Sequence, residues 1–330
     1  MKNIFLCDQP AAIANAYSQQ LRYALSPQQP LRVYTKQEVL QTPESFQDCE
    51  AVFSTWGMPV FTEEEIRACF PRLQAVFYAA GSVQAFALPF FHCGIRVFSA
   101  QRANAIPVAE YTYAQILLSL KGVQRSAILS KTDRRAALQA VFDRPGVYHA
   151  RVGLIGLGVI GKMVCEKLQA NEIQVLAYDA FLSEEEISAC GAKKAELEEL
   201  FARCDVISNH LANKPELRGV LNEALFSKMR PFATFINTGR GAQVDNAALA
   251  AALRKEPGRT AILDVTEPEI LKPDDPLFLC DNAIITPHIA GSLSQEILRM
   301  GEYMYHSYSD WQRNRQSIHE VLPQQLATLA

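Results

Sequence analysis

Several features are missing from this 330-residue chain. It has no unbroken apolar run of the roughly 18 residues a membrane helix needs, so no membrane span is expected. Its 32 basic and 35 acidic residues leave a net charge of −3 with no basic stripe. That removes the usual electrostatic footprint of a nucleic-acid binder. The opening MKNIFLCD holds only a short apolar patch ended by Asp8. It lacks the apolar core and cleavage site of a signal peptide and reads as a first strand over residues 3–7. None of the eight cysteines forms a CxxC pair or stands near histidine at zinc-ligand spacing. Reduced cysteines in a cytoplasmic protein, without a structural metal, are the expectation.

What is present is an ordinary globular composition, 49% hydrophobic and 20% charged. The length favours two domains. Short apolar runs alternate with helix-like stretches. The first strand series is 3–7, 31–34, 51–54, 73–78 and 96–98. The second is 151–155, 174–177, 206–208, 234–236, 261–263 and 283–285, the last read as buried. This alternation predicts an α/β fold with parallel sheets. Helices are predicted over 62–70, with acids in the first turn and Pro71 as the stop, over 107–120 opened by Pro107, and over 294–313. Residues 130–148 are polar and read as irregular.

Residues 156–161, GLGVIG, match GxGxxG. Alone the pattern is weak, because glycines often mark plain turns. Here it follows an apolar strand and opens a helix over 159–168. Gly156, Gly158 and Gly161 then permit a tight turn, close approach of a pyrophosphate and helix packing, with the amides around Val159 and Ile160 facing the anion. Asp179 follows the last glycine by 18 residues, at the end of the next strand. A carboxylate there accepts from ribose hydroxyls and repels a 2′-phosphate, and Ala180, Phe181 and Leu182 bring no cation. NAD is therefore expected rather than NADP. The bland alternative is a surface aspartate at a strand end.

Two further strand ends carry Arg240, between Gly239 and Gly241, and the acids Asp264, Glu267 and Glu269. His288 ends a third. The glycines let the chain turn sharply at Arg240, whose guanidinium matches a carboxylate; a solvated loop arginine fits that stretch equally well. A lone histidine between Pro287 and Ile289 is more often structural than catalytic. Arginine, acid and histidine at carboxyl ends of one sheet change that balance, because a histidine beside a carboxylate is a candidate general acid.

With these residues in hand, the chain resembles the D-isomer-specific 2-hydroxyacid dehydrogenases over nearly its whole length. The resemblance rests on the glycine turn, NTGRGAQVD at 237–245, LDVTEPE at 263–269 and TPHIAGS at 286–292. VAEYT at 108–112 and AAGSV at 79–83 match in kind. It implies Arg240, Glu269 and His288 as the catalytic set, Glu269 being five residues past Asp264. It implies that Asp264 holds the nicotinamide carboxamide and that the amides of Gly81, Ser82 and Val83 bind the substrate carboxylate. Thr238 and Gly291 join the cofactor set with His210 and Leu211, although Ala212 stands where the family has proline.

The resemblance also implies a substrate domain from 1–101 plus 293–330, with the NAD-binding domain, 102–292, inserted into it. It implies a homodimer acting on a small 2-oxo or 2-hydroxy acid. Trp56, in the cation-free loop STWGMP, suggests an unphosphorylated substrate, unless it merely packs the substrate domain. The alternative from a different class is an NAD(H)-responsive binding protein of the same fold with little turnover.

Overall fold

Runs such as AVFS at 51–54, AVFY at 75–78 and TAIL at 260–263 are buried at every position. Strands covered by helices on both faces read this way. The computed structural model describes residues 3–142 and 144–326. Its strands are β1 (Asn3–Leu6), β2 (Val33–Tyr34), β3 (Ala51–Ser54), β4 (Ala75–Tyr78), β5 (Arg96–Ser99), β6 (Arg151–Ile155), β7 (Gln174–Tyr178), β8 (Lys193–Lys194), β9 (Val206–Asn209), β10 (Thr234–Asn237), β11 (Thr260–Leu263), β12 (Ala283–Ile285) and β13 (Glu320–Val321). The chain divides into two units, Met1–Ala105 with Ser292–Ala330, and Ile106–Gly291.

Unit 1 carries a sheet ordered β13-β5-β4-β3-β1-β2. Its five parallel strands follow the flavodoxin-like order. Phe53, Phe77 and Phe98 are partners on adjacent strands and stack with centroids 5.2 and 4.7 Å apart. The helix Gln295–Gln312 covers this face with Met300 and Met304. It approaches so closely at Gly301 that a Cβ would stand 1.9 Å from the Ala16 carbonyl oxygen.

Unit 2 carries the order β12-β11-β10-β9-β6-β7-β8, all parallel. The direction of strand progression reverses between β6 and β9. In such sheets ligands bind at the carboxyl ends beside that switch point.

Both sheets are mostly parallel, as expected, and β13 adds an antiparallel edge beside β5. Several expectations need correction. β12 is half-buried, because it is the sheet's edge and lacks a neighbour on one side. Residues Arg134–Phe142 form a helix inside the stretch read as irregular; it buries only Ala137, so its apolar stripe is faint. The helix read from Pro107 begins at Gln101. All eight cysteines are free thiols, and among the described residues no helix is long and apolar enough to cross a membrane.

Candidate functional site

The glycine turn sits at the switch point of unit 2. Gly156 has φ +90°, and a Cβ on it would lie 2.9 Å from the His210 carbonyl oxygen. His210 N–H in turn donates to the Ile155 carbonyl at 2.7 Å. The ends of β6 and β9 are therefore clamped, and only glycine fits between them. At Gly161 a Cβ would meet the Gly156 carbonyl oxygen at 2.1 Å, so the helix Val159–Gln169 packs directly on the turn. Gly158 has nothing within 4 Å of a Cβ position, and the helix start has no side-chain cap. Its free amides face open space, which suits a pyrophosphate.

Asp179 stands beside this turn. One carboxylate oxygen accepts from Leu157 N–H at 2.8 Å, and the other from Phe181 and Leu182 N–H at 2.9 and 3.2 Å. The acid is thus fixed at the tip of β7, as a ribose acceptor needs. Two cations that sequence order hides come near: Lys194 donates to the Leu182 carbonyl, and Lys214 lies 4.9 Å over the Phe181 ring.

The floor beside the turn is a buried amide network. Asn209 donates to the side chains of Asn237 and Gln243 at 3.0 and 2.7 Å. Gln243 holds the Leu211 and Ala212 carbonyls at 3.2 and 2.7 Å. That loop is therefore pinned by hydrogen bonds where a proline would have stiffened it. The His210 Nε2 is 3.0 Å from the Ser208 hydroxyl, while its Nδ1 is enclosed with no partner. Burial drives the imidazole down to about 4. An orphaned nitrogen at this place fits a cofactor polar group.

Arg240, Glu269 and His288 follow three neighbouring strands whose ends align, Asn237 beside Leu263 and Leu263 beside Ile285. His288 Nδ1 lies 2.7 Å from a Glu269 carboxylate oxygen. Both side chains are more than half exposed. An ion pair so exposed contributes only about 0–1 kcal/mol of stability. Its backbone is also unusual: His288 has φ 55° in the left-handed region. Buried Asp264 imposes that turn. It accepts from the Thr286 hydroxyl at 2.6 Å and from Ile289 and Ala290 N–H at 2.9 and 2.8 Å. Strain held by surrounding bonds is a mark of functional sites.

Arg240 is half-buried, and one guanidinium nitrogen donates to the Gly239 carbonyl at 2.8 Å. Burial pushes its guanidinium below the ordinary value, and Glu269 opposes that push. The flanking glycines are not required by a left-handed backbone. Neither has positive φ; a Cβ on Gly241 would stand 2.0 Å from the Thr266 carbonyl carbon. The glycine lets the Arg240 loop touch the loop that carries Glu269. Glu267 is turned elsewhere, toward Arg218 at 3.3 Å.

The VAEYT segment proves to be a brace. Tyr111 hydroxyl meets Thr286 at 3.2 Å, and Thr112 meets Thr238 at 3.1 Å. Gly291 ends unit 2 in sequence.

In unit 1, the Ser99 hydroxyl holds the Ala80 and Gly81 carbonyls at 3.1 and 2.5 Å. Among the described residues the amides of Gly81, Ser82 and Val83 meet no protein acceptor. Successive unpaired amides of this kind are what an anion nest requires. Trp56 follows β3 and is 41% exposed.

Residues 113–290 match the family described as D-isomer specific 2-hydroxyacid dehydrogenase, NAD binding domain. The chain is 35% identical over 211 residues to D-3-phosphoglycerate dehydrogenase of Archaeoglobus fulgidus, covering 63% of this chain and 39% of that protein. It is 27% identical over 265 residues to glyoxylate reductase of Korarchaeum cryptofilum, covering 78% of each. The chain thus spans 39% of the length of the first curated relatives it matches. The crystal structure of a phosphoglycerate oxidoreductase from Rhizobium etli aligns with a TM-score of 0.80 at 20% identity, over 98% of this chain and 99% of that one. That is a likeness of fold.

Proposed function

Because the chain belongs to the D-isomer-specific 2-hydroxyacid dehydrogenase family, we propose that it interconverts a small 2-oxo acid and its D-2-hydroxy acid with NAD(H). Unit 2 is the nucleotide domain of this reading and unit 1 the substrate domain. The observation that carries it is the exposed His288–Glu269 pair, 2.7 Å apart, on a strained turn at the sheet edge that also bears Arg240.

The reduced cofactor, when bound, supplies the hydride. Arg240 binds the substrate carboxylate and polarises the ketone oxygen. The Gly81–Val83 amides are the carboxylate contacts from unit 1. His288, as imidazolium, hydrogen-bonds the ketone oxygen through Nε2 and gives up that proton as the alkoxide forms. Glu269 orients the ring through Nδ1. In the opposite direction the neutral ring takes the hydroxyl proton. Gly156, Gly158, Gly161, Val159 and Ile160 hold the pyrophosphate, Asp179 the ribose, and His210, Leu211, Thr238, Asp264 and Gly291 line the nicotinamide half.

The substrate in this proposal is unphosphorylated. Similar proteins carry the names of phosphoglycerate dehydrogenase and glyoxylate reductase, which differ on that point. The loop STWGMP has no cation to grip a phosphate and offers the Trp56 ring as a wall. A homodimer is part of the reading. It is supported by the exposed apolar residues Val123, Leu138, Val141 and Phe142, and sedimentation velocity tests it.

The deciding experiment is NADH oxidation with glyoxylate, pyruvate, hydroxypyruvate and 3-phosphohydroxypyruvate, on the parent and on His288→Ala. The variant is expected to lose about 10²–10⁴-fold in turnover with NADH binding intact. Turnover at the parent rate would remove His288 from the mechanism. Strong preference for 3-phosphohydroxypyruvate would overturn the substrate assignment. No turnover by the parent with any acid, despite NADH binding, would favour an NAD(H)-responsive binding protein.

A further inference from the structure

Arg22 lies in the last turn of the helix Gln19–Leu25 and keeps only 9% of its surface. Its Nε is enclosed with no hydrogen-bond partner. Among the described residues no carboxylate pairs with it; its recorded contact is the face of the Phe5 ring, 5.5 Å from the guanidinium carbon. Burial pushes this guanidinium below its ordinary value, and no acid opposes the push. The fold treats its other buried arginine differently. Arg259 donates to the carbonyls of Ser227, Met229, Arg230 and Ala252. In Arg22 the stem and Nε are packed away and the terminal nitrogens are left without a protein partner, open to a counter-ion.

Arg22 opens into a groove of about 560 Å³ beside β2, the outer edge strand of the unit 1 sheet. The size is that of a small-molecule site. Its walls are Pro10, Leu31 and Val33, and its rim holds Arg32 and Glu38. Those two pair with each other, and Glu38 also accepts from the backbone and hydroxyl of Thr35. The rim is therefore neutral, and Arg22 alone sets the charge the groove must meet. That charge is one. A dianion would face the Glu38 carboxylate without a second free cation.

We propose that this groove binds a small organic monocarboxylate, its carboxylate on Arg22 and its apolar body against Leu31 and Val33. The groove shares no residue with Arg240, Glu269, His288 or Gly81–Val83. A guanidinium donates two parallel hydrogen bonds to a carboxylate, here from its two terminal nitrogens, which are not enclosed.

The test is thermal unfolding of the full chain in sodium benzoate, sodium chloride and sodium phosphate at equal ionic strength. Benzoate is expected to raise the midpoint saturably, by about 3–6 °C beyond chloride, as a ligand selective for the folded state does. Arg22→Met should abolish that rise. So should Leu31→Asp, which places a carboxylate in the groove at a residue already 57% exposed, where folding is not at stake. Arg240→Gln should retain it. No rise beyond chloride, a rise that survives Arg22→Met or Leu31→Asp, or a rise lost with Arg240→Gln would each overturn the site. A larger rise with phosphate than with benzoate would overturn its carboxylate chemistry.

Discussion

His210 shows how one enclosed ring ties the floor beside the glycine turn to acid stability. Its folded value is about 4, and the ordinary value is 6.5. The unfolded chain therefore takes up a proton over a range where the folded ring refuses it. The sign follows directly: this stabilisation is complete above about pH 6.5 and is lost as pH falls toward 4. By pH 4.5 the loss amounts to about 2–3 kcal/mol. Urea unfolding of the parent and of His210→Asn between pH 7 and 4.5 checks it. The parent should lose about that much more than the variant; equal losses would mean the ring accepts its proton inside the fold. Resemblance alone proposes this residue as a cofactor contact. Its burial is not legible in the sequence, because the enclosing atoms come from β6, β9 and the Gly156 turn, which only the folded sheet brings together.

The elements that carry Arg240, Glu269 and His288 are tied by Asp264, whose carboxylate takes three donors from the turn after β12. Sequence resemblance pointed this acid at the nicotinamide; the fold also makes it the anchor of the His288 turn. Asp264→Asn puts an NH₂ where one of those donors needs an oxygen. The expected cost is about 1.5–3 kcal/mol, the range for hydrogen bonds to a charged group. Faster hydrogen exchange at the Ile289 and Ala290 amides is expected with it. Unchanged exchange there would show the turn stands without the acid.

The same elements show what the sequence makes readable. Ala51–Ser54, Arg151–Ile155 and Ala283–Ile285 have the bounds read from their apolar runs, because a strand's length is set by how far its side chains stay apolar. β8, Lys193–Lys194, is two exposed-leaning lysines at an edge and carries no such signal. Pro107 misled because proline suits a helix start, yet here it lies inside Gln101–Leu120, where it forgoes only the bond to the Ala103 carbonyl. Gly241 was visible as a glycine, but the Thr266 backbone it makes room for belongs to the loop after the next strand.

At the scale of the molecule, Ile106–Gly291 is one unbroken stretch with two apolar clusters of its own, one on each side of its sheet. Every residue of the proposed cofactor cradle and the Arg240–Glu269–His288 set falls within it. Gly81–Val83 and Trp56, the proposed substrate contacts, do not. Residues 106–291 expressed alone should therefore fold, by circular dichroism and cooperative urea unfolding, and bind NADH by fluorescence titration. They should reduce 2-oxo acids at least about 10²-fold more slowly than the full chain, because the substrate loses its positioning contacts. A folded fragment that ignores NADH would mean the cradle needs residues from unit 1. One that turns over at the full rate would mean the substrate is held by Arg240 alone, and the Gly81–Val83 amides would then need another purpose.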